Sequence, residues 1–159
     1  MRGLVLFVAG VLVGLAVQTA VAQNEGIVGL NHVGINVPNI EETVAFYTQK
    51  MGFREAFRTT DDRGQPTLVF LQISRNTFIE LGQANAQRPA GFTHYGVHVE
   101  NMGPSVAMFQ QRGLMVTEPR LSATVKSTQA NVTDLNGIRM ELTELGPDSL
   151  QRKAMESWK

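Results

Sequence analysis

The chain contains no cysteine. Disulfides, thiolate zinc sites and a cysteine nucleophile are thereby excluded, and any metal must be held by imidazole, carboxylate, amide or water. It also lacks an excess of charge of either sign, because 14 Lys+Arg stand against 14 Asp+Glu and the formal net charge is +0. Without a basic footprint, neither nucleic acid nor an anionic membrane surface is expected as a partner. What is present is one domain's worth of chain: 159 residues, 43% of them hydrophobic, make one ordinary core and are too few for two.

The N-terminus reads as an export signal. Met1-Arg2-Gly3 is a short basic start, Leu4 to Val17 is an apolar run interrupted only by glycine, and Ala20-Val21-Ala22 is a small-residue cleavage site. The run is 14 residues long, short of the roughly 20 that cross a bilayer. Residues 1–22 are therefore expected to be removed after Ala22. The mature chain would be periplasmic or secreted and have no stable membrane span, and fold reasoning begins at Gln23.

The remainder repeats itself. GLNHVGINVPNIEETVAFYTQKMGF from Gly29 aligns with GFTHYGVHVENMGPSVAMFQQRGL from Gly91, and FIEL (Phe78 to Leu81) aligns with RMEL (Arg139 to Leu142). Each half opens with an alternating segment, Leu30 to Val37 or Phe92 to Val99, of the kind a half-buried strand requires. Asn39 and Asn101 sit where helices can start, apolar residues then recur at helical spacing, and Gly52 and Gly113 are placed to stop them. Three β-rich runs follow in each half: Arg54–Thr60, Thr67–Ile73 and Thr77–Gly82, then Met115–Glu118, Ser127–Thr133 and Ile138–Thr143. The expected fold is α+β, a single domain over 23–146 built from two tandem βαβββ modules, 29–84 and 91–145. A C-terminal helix is expected within 147–159.

Successive side chains of a strand point to opposite faces, so parity sorts the residues. Val33, Ile35 and Val37 share a face, as do Tyr95, Val97 and Val99, and these pack under helices. The other face carries His32, Gly34 and Asn36 in one half and His94, Gly96 and His98 in the other. In the last strands Glu80 and Glu141 fall on this polar side, with Arg139 beside Glu141. Taken singly, each residue reads as the solvated face of an antiparallel sheet. The repeat changes that reading, since His32 is equivalent to His94 and Glu80 to Glu141, and both pairs are metal-ligand types.

On HVGINVPN, FIEL, HYGVHVEN and DLNGIRMEL the chain resembles the vicinal oxygen chelate superfamily, which includes glyoxalase I, bleomycin-resistance proteins and extradiol dioxygenases. The resemblance covers about Gly29 to Leu145. It implies curved sheets around one divalent metal held by His32, Glu80, His94 and Glu141. The metal can be nickel, cobalt, zinc, iron(II) or manganese, since imidazole and carboxylate suit them all. Glyoxalase-like chemistry then implies a metal-dependent lyase or isomerase for a small-molecule substrate. A carboxylate takes a proton from the carbon next to a polarised carbonyl, with Glu141 as base and Glu80 its counterpart. Similarity to short bacterial glyoxalases further implies a homodimer with shared sites, His32 and Glu80 from one subunit and His94 and Glu141 from the other.

Asn36 stands where glyoxalase I carries an arginine for a glutathione carboxylate, which weakens glutathione as substrate, as does export. Asn36, His98 and Arg139 face the expected cavity as substrate contacts; polar lining is the alternative for the first two and a structural ion pair for Arg139. Two other functions stay open: an iron(II) extradiol dioxygenase, and a non-catalytic binding protein of the bleomycin-resistance kind.

Overall fold

The computed structural model describes residues 26–159, so the expected signal segment and its cleavage site lie outside the described residues. Among the described residues no helix is long and apolar enough to cross a membrane. The first module is β1 (Ile27–Val37), α1 (Ile40–Gln49), β2 (Arg54–Thr60), β3 (Pro66–Ser74) and β4 (Thr77–Gln83). The second is β5 (Gly91–Val99), α2 (Met102–Gln111), β6 (Arg120–Leu121), β7 (Thr128–Thr133) and β8 (Arg139–Glu144). A short helix, α3 (Leu150–Glu156), follows inside the expected 147–159.

Local chemistry sets the helix ends. Asn39 caps α1 by accepting from the Glu42 amide at 3.1 Å, with Glu41 and Glu42 in the first turn where the helix dipole favours them. Asn101 makes no such bond with its side chain. The α2 amide of Met102 instead donates to the Glu144 carboxylate at 2.6 Å, tying the helix to the end of β8. Gly52 and Gly113 take left-handed φ values of 71° and 82° just past the two helices.

One expected strand is misplaced. Of Met115–Glu118 only Val116 bridges to Val132, and the ladder resumes as the two-residue β6. The physical reason lies in the segment itself. Pro119 has no N–H to donate, the Thr117 hydroxyl accepts from the Asn131 amide at 2.9 Å, and Met115 is 92% exposed, with no core to hold it in a strand.

The eight strands form one sheet in the order β2-β3-β4-β1-β5-β8-β7-β6. Pairs β1–β4 and β5–β8 are parallel, and β1–β5, the seam between modules, is antiparallel. The modules thus join edge to edge instead of presenting two separate sheets. Laid flat, the outermost strands would be separated by roughly 33 Å. Yet Thr59 of β2 and Ser122, next to β6, line one pocket, so the sheet curls into a half-barrel.

Each helix covers an apolar cluster on the outer face: Val44 of α1 packs with Val69, Leu71, Ile79 and Leu81, and Val106 and Phe109 of α2 pack with Ala130, Val132 and Leu142. A third cluster sits on the inner face, where Ala154 of α3 packs with Phe70, Phe78 and Val125. The Arg54 guanidinium fastens this helix, donating to the Ala154 and Ser157 carbonyls at 3.1 Å each. One part of the half-barrel is therefore filled by α3, and the ligand-bearing part stays open.

Candidate metal centre

Strand register builds the centre. Across β4, β1, β5 and β8, one row of paired residues reads Glu80, Gly34, His94, Arg139, and the next reads Phe78, His32, Gly96, Glu141. A histidine and a glutamate occur in each row with a glycine between them. The seam β1–β5 exchanges the rows, and the four candidate ligands converge. The Nε2 atoms of His32 and His94 lie 2.9 Å apart, Glu80 Oε2 lies 3.5 and 3.7 Å from them, and Glu141 Oε1 lies 3.6 Å from His32.

The glycines make this possible. A Cβ at Gly96 would collide with the His32 ring, and one at Gly34 with the His94 ring. Each imidazole thus lies across the glycine of the other module, which explains why His-x-Gly occurs twice. The residue before each histidine orients it: Asn31 Oδ1 is 2.9 Å from His32 Nδ1, and Thr93 Oγ1 is 2.8 Å from His94 Nδ1. An amide oxygen only accepts, so this contact favours the His32 tautomer protonated on Nδ1, with the Nε2 lone pair turned toward the centre.

Burial keeps both imidazoles neutral. The His32 pKa is lowered to about 3 by burial and then by His94 and Arg139, and that of His94 to about 4 by burial and then by Arg139. The carboxylates move upward. Glu80 is raised to about 8 by burial and then by Glu141, and accepts no hydrogen bond from a described residue. Burial also raises Glu141, opposed by donors from Thr143 at 3.1 Å and Gln129 at 2.8 Å and by Arg139. The two carboxylates, equivalent in the repeat, are therefore chemically distinct: Glu141 is clamped and Glu80 is free.

These residues fit a divalent ion. Two ligand nitrogens each ~2.1 Å from a common ion in adjacent octahedral positions stand ~3.0 Å apart, close to the separation of the two Nε2 atoms. His32, His94 and Glu141 form the tightest group, with ligand atoms all within 4.8 Å of one another. Two neutral imidazoles and two carboxylates would leave a divalent charge balanced.

Within the single chain described, all four side chains converge, whereas the resemblance implied a homodimer with His32 and Glu80 from one subunit and His94 and Glu141 from the other. The β1–β5 seam brings the two half-sites together in this chain. Of the expected substrate contacts, Arg139 is in place: with Glu80, His94 and Glu141 it lines a pocket of about 280 Å³, and its Nη1 lies 3.6 Å from Glu141 and 2.9 Å from Asn131 Oδ1. His98 is not. It lines a separate cleft with Arg152 and Glu156, because four residues along a strand carry it ~13 Å from His94. Asn36 is engaged structurally, its Nδ2 donating to the Pro89 carbonyl at 3.3 Å. The sequence did not single out Asn31, Thr93, Gln129 or Arg88. For the first two a signal existed, since they immediately precede the equivalent histidines.

Comparison with known proteins agrees with this architecture. At 28% identity over 124 residues, 73% of the chain resembles a probable chloroplastic lactoylglutathione lyase of Arabidopsis thaliana, spanning only 35% of that protein's length. The fold is similar to methylmalonyl-CoA epimerase of Mycobacterium tuberculosis (TM-score 0.66, 18% identity, 79% of this chain and 93% of that one). The Streptomyces coelicolor methylmalonyl-CoA epimerase in complex with 2-nitronate-propionyl-CoA gives a TM-score of 0.61 at 20% identity, over 74% of this chain and 97% of that one. The family model described as Glyoxalase/Bleomycin resistance protein/Dioxygenase superfamily matches residues 29–142, and with the repeated modules around a common centre this establishes that the chain belongs to that superfamily.

Proposed function

We propose that the chain is a metal-dependent lyase or isomerase of glyoxalase type, which removes a proton from the carbon beside a carbonyl of a small substrate. The observation that carries this reading is the convergence of His32, His94, Glu80 and Glu141 from two equivalent rows of one sheet. A divalent ion held there would supply Lewis-acid polarisation of the carbonyl. His32 and His94 would hold it as neutral ligands, and Glu141 would anchor it through an oxygen already fixed by Gln129 and Thr143.

Glu80 takes the proton. Among the described residues its carboxylate has no hydrogen-bond donor to give up, its side chain is 21% exposed against 9% for Glu141, and it borders the open pocket. A base that is unclamped and reluctant to stay ionised is well matched to accepting a proton near neutral pH. The family resemblance implies Glu141 as base; the donors around Glu141 favour Glu80 for that role instead.

The test is proton exchange at the substrate α-carbon in deuterated water, with metal content measured alongside. Glu80→Gln, with its weakened affinity offset by excess metal, should lower exchange about 10²- to 10⁴-fold, and Glu141→Gln should lose tight metal binding. Unchanged exchange in Glu80→Gln would remove it from the base role.

A second reading has its own support. His32, His94 and Glu141 are a two-histidine, one-carboxylate set, the ligand type of iron(II) oxygenases. Oxygen consumption by the iron-loaded protein with catechols would favour this reading over the first.

A further inference from the structure

The pocket over the candidate centre carries more information than its ligands. Resting on the metal reading above, we propose that its substrate is a small hydrophilic diacid. Vicinal oxygens of a hydroxy or oxo acid would face His32, His94, Glu80 and Glu141, and a second acid group would be held by Arg88 and Arg139.

Charge is the first argument. Glu80 and Glu141 balance a divalent ion, which leaves the Arg88 and Arg139 guanidiniums of the pocket wall uncompensated. Arg88 comes from the connection between the modules and has no ion pair among the described residues; Arg139 has one contact with Asn131 and one with Glu141, and its side chain is 40% exposed. Arg120, the cross-strand partner of pocket-lining Gln129, adds positive charge on the same face. A planar fork of donors with free positions is suited to a carboxylate.

Polarity is the second argument. Thr59, Thr67, Ser122, Thr124 and Gln129 supply hydroxyl and amide groups around the opening. Leu68 and Val125 are the apolar exceptions, too little surface to hold an aromatic or greasy ligand. Size is the third. At about 280 Å³ the pocket lies at or below the ~300–1,000 Å³ typical for drug-sized ligands, a size suited to a compact substrate.

Calorimetric titration of cobalt(II)-loaded protein with malate, lactate and catechol tests this without any turnover. Malate and lactate offer the same vicinal oxygens, and only malate has a second carboxylate. Malate should bind at least about tenfold more tightly than lactate, the effect of one charge-assisted hydrogen-bonding group, and more tightly than catechol. Arg88→Met should remove this advantage with cobalt affinity unchanged. Arg139→Met should also remove it, and its cobalt affinity is read separately because it neighbours Glu141. Equal binding of malate and lactate, tighter binding of catechol, or indifference to both substitutions would overturn the proposal. If cobalt does not bind, the metal reading fails. Malate is then titrated into the metal-free protein: Arg88-dependent binding upholds the acid pocket, and no binding overturns it as well.

Discussion

A methyl group at Gly96 would occupy the space of the His32 imidazole, and one at Gly34 that of His94. These glycines are there for room, since neither has a left-handed φ. Gly96→Ala should therefore displace His32 and weaken metal binding roughly 10- to 100-fold, the range found when support around a metal ligand is lost. Gly103→Ala in α2 is the control: a Cβ there meets nothing within 4 Å, and alanine in a helix is favoured by ~1 kcal/mol over glycine. Metal affinity unchanged in Gly96→Ala would refute the packing argument. At this scale the four candidate ligands were legible in the sequence because the repeat placed His over His and Glu over Glu. The asymmetry between Glu80 and Glu141 was not. It depends on Gln129 and Thr143, which reach Glu141 across strands and along one, while no described residue donates to Glu80.

At the scale of elements, parity gave the right faces and no positions along them. His98 shares the face of His94 but opens on a different cleft, and Asn36 holds the inter-module connection through Pro89. The expected strand at Met115–Glu118 failed because alternation says nothing about whether a neighbouring strand can pair with a segment interrupted by Pro119. Phe78 illustrates the converse. The rows that cross the seam place it opposite His32 at the position equivalent to Arg139, yet it is fully buried with Phe70 and Ala154 under α3. The repeat is thus broken deliberately in chemical terms: one end of the inner face is closed by aromatic packing and the other is open and cationic. Phe78→Ala should cost about 3–5 kcal/mol of unfolding free energy, measured by urea denaturation. A loss below about 1 kcal/mol would mean that α3 does not seal that end.

For the whole molecule, the antiparallel seam between β1 and β5 is what converts two half-sites into one. The sequence showed two equivalent modules without revealing whether they meet within a chain or between chains, because a repeat is equally compatible with both. In the single chain described the strand pairing joins them, and its four candidate ligands converge. Burial adds a signature that a surface cluster would lack. With Glu80 raised to about 8, its proton must leave before the carboxylate can bind an ion, so metal affinity should rise with pH up to about 8 and level off above. The histidines, lowered to about 3 and 4, contribute no competition near neutrality. The most direct measurement is a calorimetric titration of the metal-free chain with cobalt(II) between pH 6 and pH 9, repeated with His94→Ala. The structure predicts one ion per chain, release of close to one proton at pH 7, affinity increasing toward pH 8, and loss of tight binding in the variant; binding that is absent, or independent of pH and of His94, would contradict it.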